Sequence, residues 1–474
     1  MAGPGDRFQL AVLGAGPGGY AAAFRAADLG LSVALIGEEL RPGGVCLFRG
    51  CIPSKALLHV AKGIVESREA SQWGVSYGEP SIDVARVRAF KDGVVERLTS
   101  GLGQLSKARN VRYVQGLATL ADSHTLEVST PTGARETIHA DTVILATGSK
   151  PIRPRSLFIE SRRILDSTSA LDLEEIPERL LVVGGGYIGL ELSMVYAALG
   201  SRVTVVEMTP GLLPGVDRDL VRVLEKRMES MVDSTLLETR VAALKEEGNG
   251  IRVSFEGQNL EEAETAFDRV LVAVGRSPNS EVEGLSRTRV QVDDRGFVSV
   301  DGKRRTAEPS MYAIGDVAGE PMLAHKASHE GKIAAEVIAG KNRTFDPQAI
   351  PAVVFTDPEI AWCGLTETAA REEGRPVAVA RFPWEASGRA LTLGRPQGLT
   401  KLIFEPDTDR LLGAGFVGVD AGELVSEAVL AIEMAASATD VALSIHPHPT
   451  LSETLMEAAE VHLGQSTHVY RKKR

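Results

Sequence analysis

Two cysteines, Cys46 and Cys51, stand five positions apart in the run GGVCLFRGCIPSKALLH, residues 43–59. Such a pair can do thiol–disulfide chemistry if its Cα atoms come within about 7 Å. An uninterrupted helix holds them slightly too far apart, so the spacing calls for a turn, which Gly50 can supply. Pro53 suits the first turn of a helix, and Lys55-Ala56-Leu57-Leu58 reads as its interior. Cys51 then lies at a helix N-terminus, where partial positive charge favours a thiolate. That is the setting of a redox thiol. The plain alternatives are two buried small residues or a structural disulfide. Cys363 has no cysteine near it in sequence and reads as a buried small residue.

A second reactive stretch is His446-Pro447-His448-Pro449-Thr450-Leu451-Ser452-Glu453. Prolines on both sides keep the backbone of His448 extended and stiff, which suits a positioned acid–base. Thr450 and Glu453 also fit a capping box, in which Glu453 only starts a helix. The residues by themselves do not choose between His446 and His448.

These groups need a scaffold, and two glycine motifs point to one. Residues 9–13 read as a buried strand. Gly14-Ala15-Gly16-Pro17-Gly18-Gly19 and a helical run follow. Gly14, Gly16 and Gly19 fit a dinucleotide fingerprint, with a pyrophosphate at the helix N-terminus. The motif returns as Gly184, Gly186 and Gly189, 170 residues later, so two nucleotide domains are expected. Glu207 ends the following strand, 23 positions after Gly184. An acid there bonds ribose hydroxyls and repels a 2′-phosphate. Met208 follows it rather than an arginine, so NAD is favoured over NADP. The same count from Gly14 reaches Gly37, with Glu38 next. Either Glu38 reaches the first ribose from a shifted backbone, or that contact is missing.

The cysteine run resembles the redox-disulfide motif GGTCLNVGCIPSKALL of the flavin-dependent pyridine nucleotide-disulfide oxidoreductases, class I. Its Ile-Pro-Ser-Lys ending is closest to the members that oxidise dihydrolipoyl groups. The similarity runs from about Leu10 to about Gly464. Phe48 and Arg49 depart from it, standing where that family usually has Asn and Val. The resemblance implies FAD on the first fingerprint, NAD on the second and Cys46–Cys51 as the working disulfide. It implies that Lys55 pairs with Glu191 beside the flavin ring. Thr147, Gly148 and Ser149 would pass under the cofactor, and Gly275 would lie in the link back to its domain. Asp316, in Met311-Tyr312-Ala313-Ile314-Gly315-Asp316, would accept bonds from ribityl hydroxyls. His448 would be the acid–base, oriented by Glu453 and acting across a dimer interface. Tyr187 would be either a lid over the nicotinamide pocket or a residue packed on the sheet. Arg49 would either stabilise the Cys51 thiolate or face solvent.

The implied fold is α/β, with two Rossmann-like dinucleotide-binding domains and a C-terminal α+β dimerisation domain. Its expected parts are residues 1–149 and 274–345 for FAD, 150–273 for NAD, and 346–474 for the interface. The implied activity passes electrons from protein-bound dihydrolipoyl groups to NAD, giving NADH. The implied partners are a second copy and the lipoyl-bearing acyltransferase core of a 2-oxo acid dehydrogenase complex. NADP-dependent disulfide reductases of the family fit less well, because of Glu207. A rival from another class is a flavin-holding assembly protein without turnover, supported only by Gly37 and the Phe48-Arg49 pair.

Composition agrees with these readings. A chain of 474 residues, 43% hydrophobic, has room for about three domains. Its net charge of −11 argues against nucleic acid as the main partner. No apolar run reaches the roughly 18 residues needed to span a bilayer. The N-terminus lacks the pattern of a signal peptide, and a cytoplasmic location is expected. With three cysteines the chain is not a disulfide-stapled scaffold. No metal site is expected, and the basic tail 471–474 reads as a solvated end.

Overall fold

Strands that are apolar on both faces must be covered by helices on both sides, and this chain builds two such parallel sheets. The computed structural model describes residues 7–257 and 262–470; the basic tail 471–474 lies outside them. In the first sheet, Arg7–Leu13 runs parallel to Val33–Gly37 on one side and to Arg135–Leu145 on the other. Arg112–Gln115 extends one edge and an antiparallel meander, Leu117–Leu120 with Thr125–Ser129, the other. The late strand Met311–Ala313 returns to this sheet and pairs in parallel with Arg135–Leu145. Its following helix, Ala324–Ile338, lies directly on the helix Pro17–Asp28. Glycines permit that contact, since a Cβ at Gly331 would lie 2.5 Å from the Gly18 carbonyl oxygen. Two segments far apart in sequence are thereby locked together behind the first fingerprint.

The second parallel sheet has Arg179–Val183 at its centre, flanked by Arg202–Val206 and Arg269–Val272. A three-stranded antiparallel sheet, Thr239–Glu247, Gly250–Gly257 and Glu264–Phe267, is appended to it. A short pair, Ser149–Pro151 with Arg276–Pro278, carries the chain between the two parallel sheets. The helix after the second fingerprint spans Tyr187–Leu199. The last turn of the glycine motif is itself helical.

From Ala352 the chain forms a five-stranded antiparallel sheet carrying the helices Ala421–Glu433 and Glu453–Leu463. Its core centres on Trp384, Phe382, Phe404 and Phe416, all essentially inaccessible. The Trp384 indole N–H donates to Thr400 Oγ1 at 2.9 Å, so its polar atom is satisfied. Truncating a side chain this large and this buried typically costs about 3–5 kcal/mol. Cys363 lies in this core, 1% exposed, as its isolation in sequence suggests. Among the described residues, no helix is long and apolar enough to cross a membrane.

Candidate functional site

The cysteines sit on two helices broken at one residue. Gly44–Arg49 forms a short helix, Gly50 turns out of helical geometry with φ −146° and ψ −117°, and Cys51–Glu69 begins at once. A Cβ at Gly50 would come within 3.0 Å of the Val45 carbonyl oxygen, so the break needs its glycine. The break brings the thiols together: Cys46 donates a hydrogen bond to the Cys51 sulfur. That bond lowers the Cys51 thiol to about 7, with the Lys55 ammonium acting the same way and burial opposing. Cys46, as the donor, is pushed up and keeps its proton.

Lys55 Nζ donates to Glu191 Oε2 at 2.7 Å. The carboxylate is also held by the Ser54 hydroxyl at 3.1 Å and by the Phe355 backbone N–H at 3.0 Å. Lys55 and Glu191 are far apart in sequence, and only the docking of the helices Cys51–Glu69 and Tyr187–Leu199 joins them. The Lys55 ammonium also lies 4.5 Å from the centre of the Phe355 ring.

A cavity of about 670 Å³ runs from Glu38, past Gly14 and Gly16, to Cys46, Cys51, Lys55 and Glu191. Thr147, Gly148, Ser149 and Asp316 line it as well. Asp316 accepts the Ser149 hydroxyl at 2.5 Å, and Arg276 donates to that hydroxyl at 2.8 Å. Tyr187, 41% exposed, lines the cavity rather than packing into the sheet.

The two glycine motifs have the same construction. Gly14 has φ +108° and Gly184 has φ +113°, in the left-handed region that favours glycine. A Cβ on Gly14 would lie 2.1 Å from the Ala146 carbonyl oxygen, and one on Gly184 would lie 2.4 Å from that of Ala273. Gly19 and Gly189 press on the carbonyls of Gly14 and Gly184 respectively, which draws each helix start against its strand end. Gly16 and Gly186 are the N-cap residues of the two helices. First-turn N–H groups have no partner within a helix, so each start can bind a phosphate. Gly275 stands outside the cavity, its carbonyl accepting the Ile152 N–H at 3.0 Å. Glu207 folds its carboxylate onto the second loop, accepting N–H bonds from Gly185 at 2.7 Å and Thr209 at 2.8 Å.

These residues fit the two dinucleotides. The first cavity has a backbone cradle that a Cβ would fill, a carboxylate at Asp316 and a cation at Lys55. That donor set suits the pyrophosphate, ribityl chain and ring of FAD. The second loop, with Glu207 followed by Met208, suits NAD.

The histidine motif lies apart from this cavity. The His448 side chain is 73% exposed, and its Nδ1 pairs with Glu453 Oε1 at 2.9 Å, while its Nε2 has no partner among the described residues. Glu453 Oε2 accepts the Thr450 N–H at 2.7 Å. The capping box expected here is not completed, because the helix begins at Glu453 with Ser452 as N-cap and no side-chain cap bond. His446 is tucked away instead, with Nε2 2.8 Å from Glu427 Oε1 and Nδ1 2.7 Å from the Ser444 carbonyl. The two histidines that sequence alone leaves equal are thus distinct in the fold.

The departures from the family motif are also resolved. Gly37 leaves no acid at the end of its strand, and the Tyr113 hydroxyl fills the adjacent space. Glu38 is exposed, and its carboxylate has no partner among the described residues. Arg49, with its side chain 43% exposed, pairs with Glu39 at 2.5 Å. Sequence reading missed Glu39, Tyr113 and Arg276. The only sequence signal for Glu39 is that it is an acid shortly after the expected ribose position.

Comparison with known proteins agrees with this geometry. Residues 8–331 match the family described as pyridine nucleotide-disulphide oxidoreductase, and residues 350–459 match its dimerisation domain. A dihydrolipoyl dehydrogenase of Haemophilus influenzae is 50% identical over 459 residues, covering 97% of this chain and 96% of the relative. That of Vibrio cholerae is 48% identical, with 97% and 96% covered. Among solved structures, LpdA from Mycobacterium tuberculosis superposes with a TM-score of 0.87 at 26% identity, covering 96% of this chain and 99% of that one. The flavoprotein disulfide reductase RclA from Escherichia coli superposes at 0.84 and 27%, with the same coverage. With both family descriptions matched in order along one continuous fold, the chain belongs to the pyridine nucleotide-disulphide oxidoreductase family.

Proposed function

We propose that the chain is a dihydrolipoyl dehydrogenase whose working residues are Cys46, Cys51, Lys55, Glu191, His448 and Glu453. The observation that carries this reading is the thiol pair across the break at Gly50, facing a cavity that also holds Lys55–Glu191. In the oxidised enzyme Cys46 and Cys51 share a disulfide. His448 Nε2 takes a proton from the substrate dithiol, and Glu453 on Nδ1 holds the ring for that transfer. The substrate thiolate attacks the Cys46 sulfur, the Cys46–Cys51 bond breaks, and Cys51 leaves as the thiolate, which Lys55 stabilises while Cys46 is held in a mixed disulfide with substrate. The second substrate thiol then loses its proton and attacks the substrate sulfur of that mixed disulfide, the bond to Cys46 breaks, and Cys46 takes up a proton from His448, so that its thiol now supports the Cys51 thiolate. The electron pair has then moved from substrate to the cysteine pair. FAD held in the cavity beside Lys55 and Asp316 would supply the two-electron chemistry that links the cysteine pair to NAD. Glu191 holds Lys55 in place, and Asp316 with Ser149 and Arg276 shapes the wall that orients the cofactor.

The proposal includes a homodimer, which would bring His448 of one protomer to the thiols of the other. It also includes the lipoyl-bearing acyltransferase core of a 2-oxo acid dehydrogenase complex as the physiological donor, and a cytoplasmic location. The domain division at residues 149, 273 and 345 is supported by which strands share a sheet. Bleaching of the yellow holoprotein by dihydrolipoamide, reversed by NAD but not in a Cys51→Ser variant, tests this reading. A holoprotein that dihydrolipoamide leaves yellow overturns it.

A further inference from the structure

The adenosine end of the FAD cavity is built unlike its counterpart in the second nucleotide domain. There Glu207 ends its strand and lays a carboxylate on the glycine loop. Gly37 holds the matching place in the first sheet. A Cβ at Gly37 would lie 2.7 Å from the Ala15 Cβ and 2.9 Å from the Tyr113 hydroxyl, so an acid cannot grow from this position. The Tyr113 hydroxyl instead donates to the Glu39 carbonyl at 2.6 Å and fixes the backbone two residues on. From there the Glu39 carboxylate meets the Arg49 guanidinium at 2.5 Å. Both residues line the cavity.

The pair closes residues 40–48 into a loop. That loop lies on the phosphate-binding turn, since the Gly43 N–H donates to the Ala15 carbonyl at 2.8 Å. A Cβ at Gly44 would stand 2.4 Å from the Gly16 Cα, so the two backbones touch. The same loop carries Cys46. Its two ends are therefore tied by charge where the family motif has no arginine.

We propose that the Glu39–Arg49 ion pair is a clasp that retains FAD, doing by loop closure what an acid at position 37 would do by direct contact with the ribose. The inference rests on reading this cavity as the FAD site. Both residues are positioning residues, acting through the loop that covers the cofactor. Half-exposed pairs are weak and screened by salt, so the expected effect is about fivefold on FAD release.

The test is FAD release from the holoprotein, followed by the fluorescence of freed flavin at low and high salt. Glu39→Gln and Arg49→Gln should each speed release about fivefold at low salt. The double variant should be no faster than either single one. Release from the parent should quicken with salt, whereas release from the single variants should not. The reversed pair, Glu39→Arg with Arg49→Glu, should return release toward the parent rate. Unchanged release in the single variants, additive effects in the double variant, or failure of the reversed pair overturns the clasp. A parent chain that holds no FAD overturns both the clasp and the functional reading. Unchanged release in the single variants of a parent that oxidises dihydrolipoamide overturns the clasp alone.

Discussion

Lys55 and Glu191 meet at 2.7 Å across the junction of two domains, at the head of the helix that begins with Cys51. Glu191 is almost fully buried, with its side chain 4% exposed, whereas Lys55 keeps 31%. A buried carboxylate without its cation would be costly, so the pair holds the lysine where its charge reaches the thiols. Lys55→Met should therefore raise the Cys51 thiol above its value of about 7. A rise of one unit would cut the thiolate share at pH 7 from about half to about a tenth. Alkylation of the reduced protein against pH reads this directly. An unchanged profile would mean that Lys55 does not act on Cys51.

The histidines separate by exposure and partner. His448→Ala should slow the dithiol half-reaction by about 10²-fold or more, the usual share for a general base. Glu453→Gln should slow it less, because an amide oxygen can still accept from Nδ1. His446→Ala should leave that half-reaction nearly unaltered but lower stability. Glu427 beside it raises the His446 imidazole above its ordinary value. A raised folded value means that the stabilisation is complete at low pH and is lost as pH rises through that value. The melting-temperature deficit of His446→Ala should then be larger near about pH 6 than near about pH 8. Stopped-flow reduction and thermal melts check the two halves, and a larger kinetic defect at His446 would reverse the assignment.

Much of this site is legible in the chain because its signals are local. The break at Gly50 follows from the spacing of Cys46 and Cys51, and the glycine loops follow from strand, GxGxxG and helix in sequence. What the sequence hides depends on distant segments. Nothing near Lys55 announces Glu191, and nothing near Tyr113 announces that its hydroxyl takes up the space beside Gly37. Arg49 is visible as an odd residue, but its partner Glu39 is not, because the choice between thiol, solvent and acid is made by how residues 40–48 fold back. The motif at 446–453 is visible too, whereas the choice of histidine needs the helix Ala421–Glu433, which brings Glu427 to His446.

Glu207 carries the prediction on nucleotide choice. Its carboxylate is fixed by two backbone N–H groups at the loop where a ribose would sit, and the next side chain, Met208, offers no charge to a phosphate. The parent should prefer NAD over NADP, and Glu207→Ala should narrow that preference by about tenfold, or ~1.4 kcal/mol. Comparison of kcat/KM for the two nucleotides measures it. Equal use of both by the parent would remove the basis of the argument.

The last prediction concerns a buried charge cluster where the second nucleotide domain meets the antiparallel sheet. Lys401, 1% exposed at its side chain, places its ammonium 2.8 Å from each of Asp217, Asp219 and Glu367. These carboxylates lie close enough together to ligate a metal ion, but a lysine supplies the cation. Asp217 also accepts the backbone N–H groups of Glu367 and Thr368, at 3.0 and 2.9 Å, and so ties one domain to the start of a helix in the other. Although burial opposes it, bonding to Lys401 holds both Asp217 and Asp219 below the ordinary carboxylate range. Depressed values mean that their stabilisation is full above the unfolded value of about 4 and is lost as pH falls through the folded values. Lys401→Met should cost about 3–5 kcal/mol near neutrality, because it leaves the buried Asp217 without its cation, whereas Asp219 and Glu367 keep Arg381. Acid should relieve that cost by protonating Asp217, so the gap between variant and parent melting temperatures should shrink as pH falls toward about 4. A gap that stays constant with pH would show that the variant suffers only from lost packing, and that the cluster does not hold the two domains by charge.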